Sequence, residues 1–325
     1  MYNMMSGEYN LYIVCIISTF ILALAGGPIF IPALTRLKFG QMVRDDGPQS
    51  HLKKTGTPTM GGIIILIPVI IVALAFSRDR DMLLVLVVTI LFGIIGFLDD
   101  FIKISKKRSL GLRAYQKIIG QLVVAAFLAY IASGLEQVGT SVLIPFTGKF
   151  LDLGDFYIPF TMFVIIATVN SVNLTDGLDG LAGGVTVVVL GFFSVIALVA
   201  HNSGVLIFSG ALIGALLGFL RFNSHPAQVF MGDTGSLALG GAVAALAVIT
   251  RLQVFIVIIG AVYVAEALSD IIQVMYFKAT KGKRIFKMAP LHHHFELSGW
   301  AETKIVAVFT IITIILCLIG ILGLS

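Results

Sequence analysis

Residues 173–180 read Asn173-Leu174-Thr175-Asp176-Gly177-Leu178-Asp179-Gly180, between the apolar runs Phe160–Val172 and Leu181–Ala200. Two glycines in eight residues would loosen a helix, so the spacing predicts a tight polar turn. The flanks are apolar enough to lie in hydrocarbon. Carboxylates so close to lipid are costly unless they face water, a partner or a ligand. The stretch therefore reads as a membrane-surface loop with a task.

The alternation of apolar run and short polar loop recurs along the whole chain. Apolar segments lie at Leu11–Leu34, Gly61–Phe76, Met82–Leu98, Ile118–Ile131, Phe160–Val172, Leu181–Ala200, Val205–Leu220, Ser236–Ile249, Leu252–Phe277 and Ile305–Leu322. The 325 residues are 58% hydrophobic and 12% charged, with a mean hydropathy of +1.03. Soluble domains sit near half apolar and about a quarter charged, so a soluble fold is excluded. The expected architecture is all-α: a polytopic integral membrane bundle of about ten transmembrane helices, with residues 1–325 forming a single domain. Small residues inside the runs, such as Gly210 and Gly214 or Gly240 and Gly241, suit close helix packing in lipid. Cys15 and Cys317 fall in apolar spans, so neither a disulfide nor a thiol-ligated metal is expected. The N-terminus has Glu8, no basic leader and no small-residue cleavage site, which argues against a removed signal peptide. Nothing in the composition supports nucleic-acid binding.

Charge placement orients the bundle. With ten spans, the loops at 35–60, 99–117, 173–180, 221–235 and 278–304 share one side and carry 18 of the 22 Lys and Arg. The other side holds only Arg78, Arg80, Lys149 and Arg251. The positive-inside rule puts the first set in the cytoplasm and both termini outside. Outer connections are bland except Glu136–Tyr157, where Val142–Pro145 and Asp152–Ile158 alternate enough for a small hairpin. Dense polar clusters all fall on the inner side, which predicts one shared cytoplasmic site.

Each cluster has a plain and a chemical reading. Asp99-Asp100 ends an apolar run; alone, it is as well explained by interfacial solvation with Lys103. Adjacent acids point about 100° apart on a helix, so one could face a metal or proton while the other orients a base. In Phe230-Met-Gly-Asp233-Thr-Gly-Ser236, Asp233 or Thr234 could be an ordinary N-cap. The same helix start suits phosphate, and a carboxylate there suits magnesium. Phe230 offers a ring for stacking, though a lone Phe more often packs. His292, His293 and His294 cannot all ligate one ion from a regular backbone, but can donate to phosphate or shuttle a proton. Glu266, Asp270 and Gln273 fall on one helical face. Lys54 and Lys117 are interfacial cations that a phosphate-rich substrate would recruit. No phosphate-binding loop or dinucleotide fingerprint is present. Carboxylates for a cation, cations for phosphate and apolar walls for lipid together suit phosphoryl transfer.

Four stretches in this order carry a resemblance: Asp99-Asp100-Phe-Ile-Lys103, Asn173–Gly180, Phe230–Ser236 and Pro290-Leu-His-His-His-Phe-Glu296. They resemble the polyprenyl-phosphate N-acetylhexosamine-1-phosphate transferases over nearly the whole chain. The His-His-His-Phe-Glu element and Gly56-Thr-Pro-Thr-Met-Gly-Gly62 are similar to the branch that handles the muramoyl-pentapeptide sugar. The resemblance implies transfer of phospho-MurNAc-pentapeptide from UDP-MurNAc-pentapeptide to undecaprenyl phosphate, giving lipid I and UMP. It implies Mg2+ as cofactor, a homodimer in the cell membrane, and a bent ninth helix beside a groove for the prenyl chain. By the same resemblance Asp233 is the metal ligand, and Asp99, Asp100, Asp233 and His292 are catalytic, with Asp99 the base. Lys54, Asn173, Asp176, Gly177, Asp179, Asn223 and Phe230 would surround the nucleotide. Thr59, Lys117, Gln273, His293 and His294 would complete the cleft. Two alternatives stay open: a sister GlcNAc-1-phosphate transferase, and a proton-coupled transporter, since acids among ten helices fit a carrier as well.

Overall fold

The computed structural model describes residues 2–36, 56–106 and 111–325. In chain order its elements are α1 (Tyr2–Arg36), α2 (Gly62–Phe76), α3 (Arg80–Ser105), α4 (Ala114–Ser133), the strands β1 (Ser141–Ile144) and β2 (Lys149–Asp152), α5 (Tyr157–Thr175), α6 (Leu181–Ala200), α7 (Ser203–Asn223), α8 (Gly232–Ile249), α9 (Ile256–Ile259), α10 (Ala261–Ala279), α11 (Leu291–Glu296) and α12 (Glu302–Leu322). Every apolar segment of the sequence is helical, because in hydrocarbon the backbone must satisfy its own donors and acceptors. Among the described residues eight helices are long and apolar enough to cross a membrane, or nine if the α9–α10 pair is one span. The tenth segment, α2, has only 15 residues. This is a multi-pass membrane protein.

α8 is the axis of the bundle, buried along nearly its whole length and packed against α3 and α5. Its first turn comes within main-chain distance of two other helices. A Cβ built on Gly96 of α3 would lie 2.0 Å from the Asp233 carbonyl oxygen, and one on Gly62 of α2 would lie 2.3 Å from the Gly235 nitrogen. Only glycine permits such approaches. α1 packs on α7 by the same device, a Cβ on Gly214 falling 2.1 Å from the Ile16 carbonyl oxygen. On the opposite side Asp79 caps α3, accepting from the Asp81 N–H at 2.9 Å and the Met82 N–H at 3.3 Å. Asn202 caps α7 and donates to Asp81 Oδ2 at 2.7 Å, tying two loops at that end together.

Two local expectations shift, and the bend that the resemblance implies for the ninth segment is present. The turn expected over 173–180 is shorter, because α5 continues through Asn173 to Thr175 and only Asp176–Gly180 leave the helix. Gly180 takes the left-handed conformation, φ +80°, that opens α6. The outer hairpin exists with antiparallel register Ser141↔Asp152 to Ile144↔Lys149, so its second strand ends where the alternation had placed its start. Positive φ at Phe146 and Gly148 turns the chain early, and Tyr157 already begins α5. The ninth segment breaks at Gly260, where α10 departs at 84° to the helical piece before it.

Candidate active site

The acids predicted as catalytic meet at one end of the bundle. Asp99 and Asp100 come from the last turns of α3, and Asp233 from the first turn of α8. One oxygen from each lies within 4.8 Å of the others, a group able to hold a metal ion. Lys103, one turn beyond the pair on α3, reaches Asp99 Oδ2 at 2.6 Å, Asp233 Oδ2 at 2.9 Å and Asp100 Oδ1 at 3.7 Å. Lys117 of α4 adds a second ammonium, 3.0 Å from Asp233 Oδ2. Asn173, at the end of α5, donates to Asp233 Oδ1 at 2.9 Å and to Ser236 Oγ at 2.8 Å. Four helices thus converge on one carboxylate.

The adjacent acids divide their work as their angular separation suggests, although both still reach the cluster. Asp100 accepts from the Asp233 and Thr234 N–H groups at 3.2 and 2.9 Å and from the Thr234 hydroxyl at 2.8 Å. It is the N-terminal cap of α8, supplied by another helix, and it occupies the orphan donors of that first turn. Neither Asp233 nor Thr234 caps the helix by its own side chain. Asp233 is left to face the cluster. Asp99 accepts from the Leu112 N–H at 2.8 Å and turns its other oxygen to Lys103. All three donors are hard carboxylate oxygens, which fit a hard divalent cation, and the neighbouring ammoniums temper the repulsion between them.

Asp176 stands next to this group in the turn after α5. Burial raises its pKa well above the usual carboxylate range, and the charges of Asp233, Asp100 and Asp179 push it the same way. A Cβ built on the following residue, Gly177, would lie 2.2 Å from His292 Nε2. His292 is thereby drawn into the same site from α11. It is 1% exposed, and its Nδ1 lies 3.0 Å from Glu266 Oε2 on α10. Thr59 closes the other side, its hydroxyl 2.7 Å from where a Cβ on Gly232 would stand.

Several predicted residues also hold the surrounding loops. Asn223 is buried, accepting from the Gly180 N–H at 3.1 Å and donating to the Val229 carbonyl at 2.9 Å. Asp179 accepts from the Ala227 N–H at 3.0 Å and pairs with His225 at 3.2 Å, while Glu302 accepts from the Asp179 N–H at 2.7 Å. Gln273 accepts from the Ile285 and Phe286 N–H groups, both at 3.1 Å, and donates to the Phe286 carbonyl at 2.9 Å. The three histidines take different polar partners although the His292 and His293 rings pack edge-on, centroids 4.1 Å apart: His293 meets Glu296 at 2.8 Å, and His294 Nδ1 accepts from the Lys287 N–H at 3.1 Å. Phe230 is half-buried, its main chain bonded to Pro58 and Gly61. Lys54 lies outside the described residues.

Two contributors escape a sequence reading. Lys103 passes for an interfacial cation, although its spacing of three and four from the acids is the signal. Glu266 shares a helical face with Asp270 and Gln273, but nothing in the chain marks a histidine 26 residues later as its partner.

Residues 82–251 match the family model described as glycosyl transferase family 4. The chain is 55% identical over 314 residues to the phospho-N-acetylmuramoyl-pentapeptide-transferase of Thermoanaerobacter sp. (strain X514), covering 96% of this chain and 98% of that protein. It is 57% identical over 300 residues to the transferase of the same name from Clostridium botulinum (strain Alaska E43 / Type E3), covering 92% of each. With that of Clostridium novyi (strain NT) it shares 51% identity over 317 residues, 97% of each. On these likenesses the chain belongs to the phospho-N-acetylmuramoyl-pentapeptide transferases of glycosyl transferase family 4.

Proposed function

We propose that the protein transfers phospho-MurNAc-pentapeptide from UDP-MurNAc-pentapeptide to undecaprenyl phosphate, releasing UMP and leaving lipid I in the membrane. The observation that carries this reading is the cluster of Asp99, Asp100 and Asp233 with Lys103 and Lys117 at one end of an apolar bundle. A phosphoryl transfer between two anions asks mainly for charge neutralisation and alignment. Magnesium suits the carboxylate donors; it would rest on Asp233 with help from its neighbours, and when bound it would neutralise the diphosphate. Lys103 and Lys117 would steady phosphate oxygens through charge-assisted bonds. Asp99 would hold the lipid phosphate, taking a proton at a carboxylate oxygen if the acceptor arrives protonated. An acceptor oxygen then forms a bond to the sugar-proximal phosphorus as the bond to UMP breaks.

Asp176, Gly177, Asp179, Asn223, Phe230 and Lys54 would surround the nucleotide, with Thr59, Gln273, His293 and His294 finishing the cleft. The reading places the site on the cytoplasmic side of the cell membrane, supported by the 18 basic residues of that loop set. It includes a homodimer, which native mass measurement in lipid nanodiscs tests. The decisive experiment is UMP release by purified protein, with magnesium and each acceptor added in turn. Release that needs neither undecaprenyl phosphate nor magnesium would refute the reading. A phosphorylated enzyme trapped with nucleotide substrate alone would replace direct attack by a two-step route.

A further inference from the structure

The Glu266–His292 pair has a geometry that the transfer chemistry above does not explain. Glu266 is 0% exposed and His292 1%, on the contacting helices α10 and α11. The carboxylate meets one residue twice: the His292 backbone N–H donates to Oε1 at 3.2 Å, and the ring Nδ1 lies 3.0 Å from Oε2. Against an ionised carboxylate, which only accepts, Nδ1 is the nitrogen that carries the proton. The other ring nitrogen, Nε2, is buried and has no hydrogen-bond partner among the described residues. It abuts Gly177, in the turn that also carries Asp176.

A buried nitrogen without a partner is costly, and among the described residues only Thr161, Ser209 and Gln253 also leave a buried side-chain polar atom unpartnered. Its cost is offset if a bound molecule supplies the partner. We infer that Glu266 is a positioning residue for His292: it fixes the proton on Nδ1 and directs Nε2 at the substrate across Gly177. This role rests on the transferase reading, and it gives the first of the three histidines a task distinct from the other two. His293 pairs with Glu296, whose side chain is 9% exposed, and His294 with the Lys287 backbone.

Glu266→Gln separates the idea from a packing role. Glutamine keeps the shape but has one acceptor where the carboxylate has two, so its NH2 must face either the His292 N–H or Nδ1. Facing Nδ1 requires the ring to give up that proton and carry it on Nε2. The full-length protein, labelled with 15N-histidine and studied in nanodiscs, reports the tautomer directly, with His292→Asn identifying the signal. The wild type should show Nδ1 protonated, and Glu266→Gln should move the proton to Nε2. Its kcat for UMP release should fall about 100-fold with little change in KM for UDP-MurNAc-pentapeptide. Glu266→Asp, which keeps both acceptors, should recover most of that loss. Adding Glu266→Gln to His292→Asn should cost nothing more, since the effect passes through the imidazole.

A neutral wild-type His292 protonated only on Nε2 overturns the proposal, even if Glu266→Gln does not fold. So does a Glu266→Gln protein with normal kcat, or one whose loss adds to that of His292→Asn. If the wild type itself fails to release UMP, the transferase reading falls while the tautomer result stands on its own.

Discussion

Replacing Gly177 by Ala is a severe test of the site, because one added carbon meets one named atom. Gly177 does not take a left-handed φ, so alanine fits the backbone without strain. On backbone grounds alone Gly→Ala at such a position stabilises by about 0.4–1 kcal/mol, through the unfolded chain. The new Cβ, however, would stand 2.2 Å from His292 Nε2 and 2.6 Å from Cε1, where ordinary contact begins at 3.4 Å. More than an ångström must be found. The ring cannot simply swing away, since Glu266 grips it 3.0 Å behind and holds the His292 N–H as well. The turn cannot easily lift either. Asn223 holds the Gly180 N–H and Glu302 the Asp179 N–H, at 3.1 and 2.7 Å.

Overpacking of this kind costs roughly 1–3 kcal/mol, which exceeds the backbone gain. If the whole strain falls on the placement of His292, turnover drops roughly 5- to 150-fold at about 1.4 kcal/mol per tenfold. The assay is steady-state UMP release beside thermal melting in the same detergent. A Gly177→Ala protein that melts higher than wild type and turns over at the normal rate would refute the described approach of His292 to this turn.

Further perturbations give distinct outcomes. Asp233→Ala should abolish magnesium-dependent turnover yet leave a folded protein, read by UMP release across a magnesium titration and by melting; near-normal rates would remove Asp233 from its assigned role. Chelation of divalent cations should stop turnover without unfolding the bundle, since Lys103 and Lys117 already offset charge in the acid cluster; loss of helical circular dichroism on chelation would contradict this. Gln273→Ala removes three bonds to the backbone of Ile285 and Phe286, each worth about 1 kcal/mol, and should speed hydrogen exchange at those two amides.

Asp176 supplies a pH test. Its folded pKa is raised, so between the unfolded value of about 3.9 and the folded one the native state holds the extra proton. Stability should fall as pH climbs through that window. Asp176→Asn should therefore melt higher than wild type at neutral pH, in the absence of nucleotide and metal, and the difference should vanish in acid. An unchanged or lower melting point at neutral pH would contradict the crowding of carboxylates around this turn.

Much of this was legible before any coordinates. Apolar runs announce the helices because lipid leaves the backbone no alternative, and the motif order around Asp99, Asn173, Asp233 and His292 marks one site. Relations across the chain were not legible. That Asp100 serves as cap for α8 depends on the approach of Gly96 to Asp233, which no local pattern encodes. Gln273 and Asn223 carry the residue types of ligands, yet in the fold they bind backbone, since a buried amide serves either purpose equally well. The break at Gly260 was implied only by resemblance, because the surrounding residues are apolar on both sides of it.

The contact of Gly62 and Gly96 with the opening turn of α8 has a consequence for how the pocket can vary. Side chains can trade volume with their neighbours, but touching main chains have nothing left to trade. The depth of Asp233 is therefore set by polypeptide thickness and does not follow the choice of surrounding rotamers. Saturation mutagenesis should find these two positions intolerant of every replacement, while the lipid-facing sides of the same helices accept nearly any apolar residue.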